Sequence, residues 1–209
     1  MMHWKDTINL DQADLIAQGE NRLVYQHPAQ DHLLIKVPKP NSKDERKLLT
    51  RRINRPALVR YGNLRTMQRE QDEYTALLWR NKTIPTFLPR PMGVCGTNFG
   101  PGALFEKITD DDGSLAPTVD AICKAGAATE AFATKLGAFF DLLIDQGCIA
   151  PGIHLGNIVV QGGGERFYLI DGLGEIVLIK TQWLSERLRR RNLEKQKAAM
   201  LDLVRQQIP

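Results

Sequence analysis

Cysteine is scarce in this sequence. Cys95, Cys123 and Cys148 are widely separated, with no CxxC pair and no histidine cluster beside them. So sparse and odd a set argues against a disulfide framework or a zinc site, and the three are expected to be buried free thiols. Long apolar runs are missing too. No stretch approaches the ~20 apolar residues that a membrane span requires. The opening MMHWKDTINLDQADL has no positive region leading into an apolar one, so no secretory signal and a cytoplasmic location are expected. There is no internal repeat and no low-complexity segment.

What remains is an ordinary globular composition, 43% hydrophobic and 25% charged over 209 residues, long enough to bury a sizeable core. The net charge of +4 is unevenly spread. From Lys36 to Arg69 eleven Lys/Arg face two acids, and from Thr181 to Pro209 seven face three. Such stretches suit phosphate, nucleic acid or anionic lipid, or are simply solvated faces. Aromatic residues that could stack on bases are sparse in both, which argues against a single-strand nucleic-acid binder.

Residues 19–37 predict two strands around the turn HPAQD, the second being the short buried run LLIKV. Residues 38–63, basic and rich in proline, predict a long loop that could hold a short helix. The apolar stripe Leu64, Met67, Tyr74, Leu77 and Leu78 predicts a helix to about Arg80. MGVCG and ALFEKI predict strands joined by TNFGPG. The acidic DDDG and Pro117 mark a boundary. A second helix is predicted from about Ala127 to Gln146, with Phe132, Leu136, Phe139, Phe140, Leu143 and Ile144 on one side. NIVVQGGGERFYLID alternates into a hairpin closed by three glycines, and the last ~25 residues predict one basic amphipathic helix. The order defines an α+β protein with a strand-rich front.

A few polar residues stand where a packed core would not choose them. Lys36 interrupts LLIKV, so its ammonium must emerge or meet an anion or carboxylate. Glu70, with Glu73 as its rival one turn on, could face such a lysine; each alone reads as a solvent-exposed helix residue. Asn157 opens the predicted hairpin and Asp171 closes it, so antiparallel pairing gathers two hard oxygen donors at the open end. Such a pair suits Mg²⁺ beside a phosphate, or two residues capping strand ends.

In this order the residues resemble the protein-kinase-like fold, and in detail the PhoP regulatory network proteins of the YrbL type. The likeness is carried by GENRLVY at 19–25 with the following H-P, L-I-K-V, REQDEY at 69–74, TNFGPG at 97–102, FEKI at 105–108, DDG at 111–113, GNIV at 156–159 and LIDGLGE at 169–175. It implies a minimal two-lobed fold, with an antiparallel-sheet N-lobe and hinge over 1–112 and a reduced helical C-lobe over 113–209. It implies ATP and Mg²⁺ as cofactors. Lys36 then holds the α/β-phosphates and pairs with Glu70. Glu106 and Ile108 offer backbone groups to adenine with Phe105 behind the base, the loop at Gly19 covers the phosphates, and Asn157 and Asp171 bind the metal.

Three departures from the kinase pattern stand out. Only Gly19 represents the glycine-rich loop, and the interval from Lys36 to Glu70 is long. Laying GCIAPGIHLGN over the catalytic loop puts Ala150, Pro151 and Gly152 under H-R-D, so the usual base is absent. His154 falls at that loop's lysine, where it could touch the γ-phosphate, substitute as a base, or be an ordinary loop histidine. After Gly174 only 35 residues remain, too few for the segments that hold a peptide substrate. A small-molecule acceptor or a regulatory protein partner is expected instead. The readings carried forward are an ATP/Mg-dependent phosphotransferase, a pseudokinase binding module without turnover, and a basic nucleic-acid or anionic-surface binder.

Overall fold

A computed structural model describes residues 7–19, 21–39, 64–174, 182 and 185–208. Most of the basic loop expected at 38–63, and Glu20 and Glu175 of the family motifs, lie outside the described residues. The chain divides into two units, one comprising residues 1–68 and 90–107, the other 69–89 and 108–209.

The first unit is built on a five-stranded antiparallel sheet. Its strands are β1 (Leu15–Gln18), β2 (Arg22–Gln26), β3 (Leu33–Pro38), β4 (Pro91–Thr97) and β5 (Gly100–Glu106), in the order β1-β2-β3-β5-β4. The run LLIKV is central, paired with β2 on one side and β5 on the other, which is why it is apolar almost throughout. Leu10, Tyr25, Ile35, Val37, Cys95 and Leu104 form the core, with Ile8, Ala13 and Leu23 packed on it. Two details depart from the expectation. Strand β1 is additional, and the β4–β5 turn is only Asn98–Phe99, since Gly100 to Gly102 already pair with β4. Strand β4 lies at the sheet edge with Met92 and Val94 exposed. Its register shifts between Pro91 and Gly93, and Ile8 bridges Thr97 in parallel at its far end.

The second unit is mainly helical, with α1 (Arg65–Asn81, belonging to this unit from Arg69), α2 (Val119–Lys124), α3 (Glu130–Asp145) and α4 (Glu186–Arg205). Thr118, Thr129 and Ser185 cap α2, α3 and α4, each side chain accepting a first-turn backbone N–H, which satisfies one otherwise orphaned donor per helix. Helix α3 is the centre of the unit. Its apolar side buries Leu136, Phe140 and Leu143, and Phe139 stacks near Phe167 while meeting Phe87 edge-on. The predicted hairpin is the ribbon β6 (Ile158–Gln161) and β7 (Arg166–Leu169), turning through the three glycines. Helix α4 packs on α3, where Leu201 comes against Gly137. Its cations meet acids of α3, as Lys197 with Asp141, Arg205 with Glu130 and Arg190 with Asp145. Exposed pairs of this kind add little stability each, but they neutralise part of the basic face. All three cysteines are buried free thiols, as expected. Among the described residues no helix is long and apolar enough to cross a membrane.

His27, at the end of β2, is buried, and its Nδ1 accepts the Ala29 N–H at 3.1 Å. Burial, helped by the nearby His32, lowers its pKa below the ordinary 6.5, so the folded state prefers the neutral ring. Unfolded chains therefore take up the proton first as pH falls through about 6.5, and stability should decline below that value. Urea denaturation at pH 7.5 and pH 5.5 should show the loss. The variant His27→Asn, whose amide oxygen can still accept from Ala29, should show a smaller one.

Candidate functional site

In the first unit, Lys36 lies in the central strand and is only 8% exposed. Its Nζ stands 4.1 Å from the centre of the Phe105 ring on the adjoining strand. The ring face offers a buried ammonium partial compensation for lost water. Lysine is thus seated among apolar side chains with its charge at an aromatic surface, an arrangement suited to meeting an anion. Gly19 closes β1 towards β2, its N–H donating to the Arg22 carbonyl at 2.9 Å. At Glu106 the N–H donates to the Arg90 carbonyl and the carboxylate accepts the Arg90 N–H.

The second unit holds the other candidates. The Ile108 carbonyl accepts from Ala116 N–H at 3.1 Å. On α1, Glu70 and Glu73 are 1% and 2% exposed, so neither is the solvent-facing residue its acidic neighbourhood suggested. Glu73 accepts the Ile149 N–H at 2.8 Å and thereby fixes the start of the loop at 149–154. Sequence reasoning had placed Glu73 only as a rival to Glu70 and missed this anchoring contact.

That loop is held largely by main-chain contacts. Gly174 N–H donates to the Ile149 carbonyl at 2.8 Å, and Gly152 N–H approaches the Gly172 carbonyl at 3.4 Å. Gly152 and Gly172 touch backbone to backbone. Gly172 has φ +93°, and a Cβ there would come 2.8 Å from the Gly152 oxygen. A Cβ at Gly152 would lie 3.3 Å from the Gly172 Cα, tight enough to require an adjustment. The glycine read as the loss of a base therefore also serves a close approach of two segments.

Asn157 and Asp171 flank the open end of the ribbon. Ile158 pairs with Leu169, and Ile170 N–H continues the ladder to the Asn157 carbonyl at 2.9 Å. Asn157 therefore lies opposite Ile170, with Asp171 one residue further along at the same end of the ribbon, both half-buried. Asn157 Nδ2 donates to the Gly152 carbonyl at 3.1 Å, which turns its Oδ1 the other way. Asp171 Oδ1 accepts the Gly172 N–H at 2.6 Å. His154 is exposed and caps the short 3₁₀ turn Leu155–Asn157, its Nδ1 accepting Gly156 N–H at 3.2 Å. Only its Nε2 is left for chemistry. Among the described residues there is no group of three or more His, Cys, Asp or Glu that could cage a metal by itself. This end of the ribbon borders the glycine-bounded loop through the Asn157 bond to Gly152.

These features define an α+β protein with an antiparallel sheet unit carrying a buried strand lysine and a helical unit carrying an Asn/Asp ribbon mouth. The model of the family described as PhoP regulatory network protein YrbL matches residues 8–205, and the chain belongs to that family. No curated protein matches the chain.

The backbone contact at 152/172 is open to direct test. Gly172→Ala should lower stability by about 1–3 kcal/mol, from the strained φ and the overlap with Gly152. Urea denaturation checks the loss, and hydrogen exchange should show faster opening of amides 149–154 than in the parent.

Proposed function

We propose that the chain is a Mg²⁺-ATP-binding protein of the protein-kinase-like type, its sheet unit serving as an N-lobe and its helical unit as a reduced C-lobe. The observation that carries the reading is the ribbon register, which pairs Ile158 with Leu169 and bonds the Ile170 N–H to the Asn157 carbonyl, so that Asn157 and Asp171 lie at the same end of the ribbon. Two hard oxygens that do not form a complete cage suit Mg²⁺, which keeps several waters and draws remaining ligands from phosphates. The donor set fits that ion, and it would supply charge neutralisation at the phosphates. Lys36, poised on the Phe105 ring, takes the α/β-phosphates, with Glu70 as its carboxylate partner, while the connection at Gly19 lies over them. The Glu106 carbonyl and the Ile108 N–H are the backbone groups left for a purine edge, since their counterparts are engaged. Phe105 stands behind the base.

Phosphoryl transfer to a small-molecule acceptor is chemically compatible with this arrangement, because positioning and charge stabilisation supply most of the catalysis. His154 Nε2 is the remaining candidate to orient an acceptor hydroxyl. The close contact at Gly152 favours a second reading, a nucleotide-binding pseudokinase that works through a protein partner. A carboxylate at 152 would need the two glycine backbones to separate.

Calorimetry of Asp171→Ala should show Mg²⁺-dependent ATP affinity falling roughly 100-fold or more, since even outer-shell partners of a metal are worth 10–100-fold. Unchanged affinity would remove the metal assignment. Nucleotide consumption that vanishes in Lys36→Ala would select the phosphotransferase. Tight binding without consumption would select the pseudokinase.

A further inference from the structure

The helical unit contains a cavity of about 210 Å³ bounded by Glu73 and Arg80 of α1, Gly147 and Ile149 after α3, and Arg189 of α4. It is far larger than one water needs, and its walls carry an unusual charge arrangement. Arg189 is 7% exposed, and its guanidinium donates from Nη1 to the Gln182 carbonyl at 3.1 Å. Its Nε stands 3.6 Å from the position of a Cβ built on Gly147. The Arg80 guanidinium lies over the same position so closely that a Cβ there would overlap it. Two guanidinium groups thus converge on one backbone point, one buried and the other on an exposed residue.

Like charges brought together in a partly dry space repel strongly, and a buried guanidinium is costly without a counter-charge. Glu73 supplies one negative charge, but one of its oxygens already accepts from Ile149. Among the described residues the wall therefore retains one positive charge in excess. Arg189 also belongs to the early part of α4, where the helix dipole disfavours a cation. At the adjoining end of α3 the Leu142, Leu143 and Ile144 carbonyls already accept from Gln146, Cys148 and Gly147. Burial and the Glu73 carboxylate push the Cys148 thiol up, while both guanidinium groups pull it down.

We infer that this cavity binds a phosphate-type oxyanion between Arg80 and Arg189, free or as the head of a small metabolite. Planar guanidinium forks match such an ion through paired N–H donors, and the cavity leaves room for bridging waters or a short substituent. The site is separate from the residues assigned to nucleotide. Because Glu73 and Ile149 are shared with the loop at 149–154, an occupied cavity would stiffen that loop.

The test is a titration of the full chain with inorganic phosphate, with chloride adjusted to hold ionic strength constant, followed by calorimetry and thermal unfolding. A saturable signal is expected, and Arg80→Gln should weaken it by about tenfold or more, as loss of a charge-assisted bond implies. Arg80 is exposed, so this variant should fold normally; Arg189→Lys should weaken binding too if it remains folded. A small phosphorylated sugar titrated in the same way separates the two sources, tighter binding than inorganic phosphate marking a metabolite head and equal or weaker binding marking the free ion. Chloride acting as well as phosphate, or undiminished phosphate affinity in Arg80→Gln, overturns the inference. The second result would place the anion at another site.

Discussion

The close approach of Gly152 to Gly172 is the constraint on which the geometry of the helical unit's loop depends. Because those two backbones meet without side chains between them, the Gly152 carbonyl is in place to orient the Asn157 amide. The same approach aligns Asp171, one residue before Gly172, with the end of the ribbon. Glu73 and Gly174 then fasten the other end of the loop at Ile149. The conformation is therefore encoded in main-chain contacts and one buried carboxylate. It does not require an acidic side chain at 152, and it leaves little room for one.

Much of this was legible in the sequence where periodicity and turn chemistry agree. NIVV and FYLI alternate around three glycines, and the ribbon forms with the register that pattern demands. The phenylalanine-rich face of α3 is similarly plain, and its ends lie within a few residues of the expectation. Strand β1 was not legible because Leu15–Gln18 is short, mostly exposed and bulged against β2. Helix α2 has only six residues, too few for a helical period to show. Burial of Glu70 and Glu73 was hidden by the surrounding QREQDEY, which reads as surface until the segments packed on α1 are known. Lys36 was the better signal, since a single cation in an apolar run already demanded an explanation, and the Phe105 ring provides part of it.

Charge illustrates a related gap between sequence and structure. The basic C-terminal segment reads as one continuous cationic surface. Folded, its residues divide into exposed cations facing acids of α3 and the buried Arg189, which turns inward. Net charge along a segment therefore merges two environments, and only the inward one demands a specific counter-ion. Lys36 belongs to that inward class as well, in a different unit and with an aromatic face as its first neighbour.

The edge strand β4 has a quieter effect. A straight, unpaired strand is a template onto which another polypeptide can hydrogen-bond. Here Pro91 withholds one donor, the irregular pairing near Gly93 breaks the spacing, and Ile8 occupies the Gly96 carbonyl at the opposite end. The outward Met92 and Val94 can therefore remain greasy without offering a continuous ladder, so this border is poorly matched to seeding cross-β growth in a crowded solution.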